Sequence, residues 1–291
     1  MRLRLDLAYD GTDFSGWATQ PDRRTVQHEL ERWIGQVLRL PEQPGLVVAG
    51  RTDAGVHATG QVCHLDLPDG LAVPVRDGER TDIPQLLGHR LGRVLPDDIV
   101  VHAIRVVPED FDARFSALWR RYTYRLWDDR THREPALRRR AATVRGTLDV
   151  DAMNHAAELL LGLQDFAAFC KPREGATTIR TLQRLEAVRE DPSGEVVFTV
   201  VADAFCHSMV RSLMGAMTAI GQARDGRDEH WLGRLLQATR RDSSVLMMPA
   251  SGLTLSEVGY PADDQLAARA AEARRRRDEP DPDDHLGGET P

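Results

Sequence analysis

Arg2-Leu3-Arg4-Leu5-Asp6-Leu7 alternates charged and apolar side chains, and a period of two lays one apolar face on a core only if the segment is a strand. From there the period switches repeatedly. Residues 2–9 predict a strand, closed by the turn Asp10-Gly11-Thr12-Asp13. Thr25 caps a predicted helix with Val26, Leu30, Trp33, Ile34, Val37 and Leu38 on one face, and Pro41 lies beyond its end. Short strands are predicted at Leu46–Ala49 and Gln61–Leu67 around a loop at Gly50–Ala58, then a helix at Ile83–Val94 and a strand at Ile99–Val107. Residues 68–80, rich in Pro, Gly and Asp, read as an exposed connection. The second half repeats the style. Strands are predicted at Arg120–Trp127, Leu182–Arg189 and Val196–Ala202. Helices are predicted at Met153–Leu163, over Val210–Gly221 and at Trp231–Leu236. The alternation divides the chain into two α/β halves, 1–105 and 106–262, followed by a charged tail, 263–291, with a solvated helix at Ala268–Arg277 and then expected disorder.

No run of about 18 apolar residues occurs, so no membrane span is expected, and the first residues lack the apolar run of a signal peptide. Three scattered cysteines, Cys63, Cys170 and Cys206, do not make a disulfide framework and fit a reducing cytoplasm. The net charge of -7 looks wrong for a nucleic-acid binder, but the tail carries a net of -4 and leaves the body at -3. The body's cations are arginines apart from Lys171, and arginine forks onto phosphate and stacks on bases.

The densest polar segment is Gly50-Arg51-Thr52-Asp53-Ala54-Gly55-Val56-His57. Glycines allow a tight turn and close approach to a ligand; an aspartate in such a loop can serve as nucleophile or base, and an arginine as phosphate contact or charge partner. The plain alternative is an Asx turn in which Asp53 bonds nearby backbone and Arg51 pairs with it. Asp53, His57 and His64, with Cys63 nearby, match no recognised metal-ligand spacing, so no metal is expected. Cys206-His207 does not make a thiol dyad, because adjacent residues of an extended segment face opposite ways; buried structural roles are expected for both. Asp110–Arg125 mixes aromatics with four arginines. On a strand there, Tyr122 and Tyr124 face one side while Arg121, Thr123 and Arg125 face the other.

The Gly50–His57 run resembles the signature of the tRNA pseudouridine synthase A family. Supporting matches follow in order: Tyr9-Asp10-Gly11-Thr12, Gly16-Trp17, Thr25-Val26-Gln27, Leu95-Pro96-Asp97-Asp98-Ile99, Phe111–Tyr124, Thr178-Ile179-Arg180-Thr181, Ala204-Phe205 with His207 and Met209-Val210-Arg211, and Ser251-Gly252-Leu253 with Tyr260-Pro261. The resemblance spans about residues 3–261.

It implies an α+β pseudouridine-synthase fold: two α/β lobes share a central, mainly antiparallel sheet with the active-site cleft between them. The first lobe carries Asp53, and the second carries Tyr122 and Arg211. It implies an isomerase, active without metal or organic cofactor. Such an enzyme converts uridine to pseudouridine on the 3′ side of the tRNA anticodon stem and loop, as a cytoplasmic homodimer. Asp53 matches the family's essential aspartate, attacking C1′ of the ribose or C6 of the base, or starting an elimination at the sugar. Arg211 matches the basic residue that pairs with that aspartate and keeps it ionised. Tyr122 matches the tyrosine that stacks on the base, and Arg51 an arginine that fills the space of the flipped base or holds its phosphate. Ala18, Gly92, Asp203, Ser208 and Ser212 depart from the family pattern, Asp203 adding a negative charge where RNA is expected to approach. The alternative is a non-catalytic RNA-binding protein on the same fold.

Overall fold

The computed structural model describes residues 1–68, 70–71, 82–173 and 175–274. In chain order, its strands and α-helices among these residues are β1 (Arg2–Tyr9), α1 (Val26–Leu38), β2 (Val47–Val48), β3 (His57–Asp66), α2 (Ile83–Val94), β4 (Ile99–Val107), β5 (Trp119–Trp127), β6 (Ala142–Thr143), α3 (Val150–Ala157), β7 (Gly162–Asp165), β8 (Ile179–Arg189), β9 (Val196–Ala202), α4 (Met209–Gly221), α5 (Glu229–Leu236), β10 (Leu253–Gly259) and α6 (Leu266–Arg274). The α+β class holds, with mostly antiparallel strand pairing. Contacts divide the described residues into two units, Met1–Arg121 with Leu253–Arg274, and Tyr122–Gly252.

In the first unit the strand order is β4-β1-β3-β10. Leu3, Leu5, Leu7 and Tyr9 are buried, as the alternation requires, while Arg2 sits opposite Asp66 in the β1–β3 register and bonds both its carboxylate oxygens at 2.7 and 2.6 Å. Gln61–Leu65 of β3 is buried on both faces, because a second layer covers the side opposite the helices. His64 there accepts a hydrogen bond at Nδ1 from the Ala113 N–H at 3.0 Å and meets Phe111 edge-on, while the Arg4 guanidinium lies over the Tyr260 ring at 4.7 Å. β10 joins β3 in parallel, pairing Thr254 with His57 and Leu255 with Ala58. In α1, Thr25 accepts from the His28 N–H, and Val26, Leu30, Ile34 and Leu38 are buried. Glu31 is buried on the same helix because its Oε1 accepts from the Leu46 N–H and from Gln27.

In the second unit the order is β5-β9-β8-β7, with β6 beside β5. Every residue of α4 is buried except Arg211. The expected helix at Met153–Leu163 is corrected: α3 ends at Ala157, a 3-10 turn covers Glu158–Leu160, and Gly162, at a φ of 87°, turns the chain into β7. Helical spacing of apolar residues continued past a point where the backbone turns away.

Asp128 closes β5. Burial alone would raise its carboxyl. The bonds from the Arg189 guanidinium and from the Leu148 and Arg130 N–H groups, with the Arg189 charge, outweigh burial and hold it below the usual carboxylate range. Its folded value lies below its unfolded value, so its contribution is complete above about pH 4 and is lost as pH falls through the folded value. Asp128→Ala strands Arg189 and should cost about 3 kcal/mol at neutral pH, with a flatter acid limb, in urea melts between pH 3 and 7.

The expectations for residues 72–80 and for the tail after Arg274 lie outside the described residues. Described residues of the tail include α6, which buries Leu266 and Ala270.

Candidate active site

The Gly50–Val56 loop leaves β2 and enters β3, and the first unit holds it at Gly50, Thr52 and Gly55. The Trp17 N–H donates to the Thr52 carbonyl at 3.0 Å, and the Gly55 N–H to the Phe14 carbonyl at 3.3 Å. The Thr52 hydroxyl and the Tyr9 hydroxyl are 2.7 Å apart, and Gln61 Nε2 reaches both Tyr9 Oη and the Gly50 carbonyl. Arg120, buried, donates to the Ala49 carbonyl at 2.9 Å. Within the loop the Val56 N–H returns to the Asp53 carbonyl, and Gly55 takes a φ of 78°, closing a turn. Thr52 and Val56 are therefore buried while Asp53 is half-buried and Ala54 exposed. The loop is thus bonded in place on both sides of Asp53.

Two glycines make that bracing possible. A Cβ on Gly11 would lie far inside contact distance of the Val56 carbonyl, and one on Gly16 would lie 2.8 Å from the Thr52 oxygen, at a φ of 91°. The Gly11 N–H donates to Nδ1 of buried His57 at 3.1 Å. A backbone N–H can only donate, so Nδ1 accepts in this contact. An Asp10 oxygen is also 3.1 Å from Nδ1, and that carboxylate accepts from the Thr12 N–H and hydroxyl. His57 thus fixes the loop from behind. Burial first, and then the Arg2 charge, hold the His64 imidazole below its usual value. Both imidazoles have Nδ1 committed to backbone, and among the described residues no group of three or more His, Cys, Asp or Glu side chains could hold a metal ion.

Arg51 is exposed and makes no ion pair among the described residues, so the Arg51–Asp53 pair of the plain reading is not formed. Tyr122 and Arg211 belong to the second unit. Tyr122 is buried on the inner face of β5 with Tyr124, as the strand alternation requires, and meets Phe205 edge-on at 5.1 Å. Phe205 lies on the segment that leads into α4, and the first turn of α4 carries Arg211. Nε of Arg211 donates to the Met248 carbonyl at 2.7 Å, and the Met248 N–H returns to the Arg211 carbonyl at 3.1 Å. Gly215, one turn on, admits the Leu246 backbone with no room for a Cβ. Tyr124 donates to the Pro249 carbonyl, and burial pushes its hydroxyl far up, so it is a structural donor.

Three expectations are corrected here. Asp203 does not face an approaching polyanion: it is buried, with Oδ1 accepting from the Thr181 and Ala204 N–H groups at 3.1 and 2.6 Å. Cys206 is half-buried and His207 exposed, since they lie in a turn ahead of α4 and not in a packed strand. Cys170 and Cys206, 36 residues apart, are joined as a disulfide with Cα atoms 5.7 Å apart, leaving Cys63 as the buried free thiol. Residues that sequence reasoning did not single out also emerge: Arg120, Gln61 and Thr52 brace the loop. The signal available for them was the pair Gly11 and Gly16, conserving space where another backbone passes.

The tRNA pseudouridine synthase family model matches residues 156–261. The chain is 61% identical over 277 residues to the tRNA pseudouridine synthase A of Cutibacterium acnes, covering 95% of each chain. It is 53% identical to that of Streptomyces avermitilis, over 95% of this chain and 94% of the relative, and 48% identical to that of Corynebacterium glutamicum, over 97% and 96%. With a signature loop braced on both sides of Asp53 and kinship over nearly its whole length, this chain belongs to the tRNA pseudouridine synthase A family.

Proposed function

We propose that the chain isomerises uridine to pseudouridine in tRNA, on the 3′ side of the anticodon stem and loop, with Asp53 as the nucleophile. The observation that supports this reading is the bracing of the Asp53 loop: Thr52 and Gly55, on either side of it, are bonded into the first unit, and Asp53 is half-buried between them. In this reaction the N1–C1′ bond breaks, C5 bonds to C1′, the proton leaves C5, and N1 gains a proton. Atoms and charge balance without oxidant, reductant or cofactor. A carboxylate opens the reaction at C1′, at C6, or through elimination at the sugar. Arg211 serves as the cation that pairs with Asp53. Tyr122 stacks on the extruded base, and Arg51 holds the displaced backbone or fills the vacated stack. The working form is a cytoplasmic homodimer.

The chemistry supplies its own assay. Transcribed tRNA carrying tritium at C5 of uracil should release it to solvent, and catalytic amounts of enzyme should release more than one equivalent. No release alongside tight binding would favour the non-catalytic RNA-binding alternative. Arginines must supply the phosphate contacts, so tRNA affinity should fall steeply with salt, by about 0.7 to 0.9 decades per decade of salt for each phosphate neutralised. A filter-binding titration from 50 to 200 mM salt, as about 10³-fold weaker binding for six or more contacts, checks this.

A further inference from the structure

A chain of net charge -7 that binds a polyanion needs a local surface of the opposite sign, because only charges within about 8 to 10 Å of a phosphate act on it at physiological salt. The second unit carries one. Between Asp129 and Gly146, Arg130, Arg133, Arg138, Arg139, Arg140 and Arg145 are all exposed. Six arginines face two carboxylates in that stretch, Asp129 and Glu134, and Asp129 is engaged by the Gly146 N–H at 2.9 Å. Elsewhere arginines are commonly paired, as Arg2 is with Asp66, Arg24 with Asp98, Arg189 with Asp128 and Arg274 with Asp112. Arg130, Arg133, Arg138, Arg140 and Arg145 form no ion pair among the described residues.

The segment is also built, not merely charged. Asp128 gathers Arg189, Leu148 and Arg130 at its base. The His132 N–H donates to the Ser193 carbonyl, and Gly194 leaves no room for a Cβ against the Arg130 carbonyl. The Val144 N–H donates to the Trp127 carbonyl, and β6 pairs with the last two residues of β5. A bonded base carrying six exposed guanidinium groups fits a ligand that brings many negative charges at fixed spacing.

We propose that this arginine segment is a phosphate-binding surface for tRNA nucleotides outside the target uridine. The proposal rests on the reading in which Tyr122 meets the target base. Tyr122 and Trp127 lie five residues apart on β5, about 17 Å at 3.3 Å per residue, so the segment reaches phosphates some two or more nucleotides from the flipped base. Arginine supplies forked donors suited to phosphate oxygens, and such contacts set register without reading sequence.

The test is the triple variant Arg138→Ala/Arg139→Ala/Arg140→Ala, with unmodified tRNA transcript as the probe. A thermal melt checks that the fold is intact. Affinity should drop about 10- to 100-fold at 150 mM salt, and the slope of log affinity against log salt should shrink by about two to three. In turnover KM should rise by the same factor while kcat holds. Arg138→Lys/Arg139→Lys/Arg140→Lys keeps the charge and should restore the slope. An unchanged affinity and slope in the alanine variant overturns the proposal, as does a kcat loss with KM unchanged. Binding is read without turnover, so absence of pseudouridine formation by the unaltered chain would refute the catalytic reading and leave this result to be judged by itself.

Discussion

Replacing Asp53 with alanine should reduce pseudouridine formation by at least about 10³-fold while tRNA is still bound. A substitution of this kind removes the proposed attacking group and leaves the binding surfaces in place. The loop's fixed points, Thr52, Gly55 and Val56, are held by Trp17, Phe14, Tyr9 and Gly11, and none of those bonds uses the Asp53 side chain. The loop should therefore keep its shape when the carboxylate is lost. Asp53→Asn should be as inactive, since an amide keeps the volume but is a poor nucleophile. Single-turnover conversion and filter binding on the same preparations separate the two effects. Activity within tenfold of the unaltered chain would mean that another group opens the reaction.

The second large effect is expected at a residue that carries no functional group. Gly11→Ala forces a Cβ into the Val56 carbonyl, and the obstacle is backbone, which cannot rotate away. The Gly11 segment or the loop must move by the order of 1 Å, and misplacement of that size costs about 10²-fold in rate. Overpacking of this kind costs about 1 to 3 kcal/mol in stability. Gly16→Ala adds a strained φ of 91° to a contact of 2.8 Å and should behave alike. Gly92→Ala is the control: it sits exposed in α2 with nothing within 4 Å of its Cβ, and helix propensity should raise stability by up to about 1 kcal/mol with activity unchanged. Chemical denaturation with parallel rate measurements reads all three. Gly11→Ala at full rate would show that the loop tolerates displacement.

These expectations show which parts of the molecule were legible in its residues. Elements that carry their own period read well. β1 and α1 follow the spacing of Leu3-Leu5-Leu7 and of Val26-Leu30-Ile34 almost residue for residue, and β5 alternates as Tyr122 and Tyr124 require. The failures share a cause. α3 stops at Ala157 because Gly162 redirects the chain, although Leu160 and Leu161 continue the helical spacing. β10 takes its place through parallel pairing with β3, a partner almost 200 residues away in sequence, as measured from His57 to Thr254. Long-range pairing leaves no local mark. The same holds for Cys170 and Cys206, and for Asp203, whose charge looked available until the Thr181 and Ala204 N–H groups were placed on it.

The site divides in the same way. The Asp53 loop stood out as a polar, glycine-flanked run between two apolar strands, but its residues alone favoured a plain Asx turn, and the role proposed for Asp53 rests on the resemblance. The loop's bracing was not legible. Tyr9, Gly11 and Gly16 were visible only as matching motifs, and their work as a clamp appears once Thr52 and Val56 are seen held between them. Arg120 read as one of several arginines on a strand, yet it is buried and anchors the Ala49 carbonyl at the loop's root. Arg211 took its meaning from resemblance. Within the second unit its backbone and Nε are tied to Met248, which fixes the direction of a long side chain that helical spacing alone would leave free.

The central claim is that this chain rearranges uridine within tRNA through one carboxylate. Its most direct test is to incubate the purified full chain with an unmodified tRNA transcript and map pseudouridine by carbodiimide-dependent reverse-transcription stops. The account predicts new stops on the 3′ side of the anticodon stem and loop with the unaltered chain, and none with Asp53→Ala. Stops absent from a transcript that the unaltered chain demonstrably binds, or present at equal strength with Asp53→Ala, would contradict it.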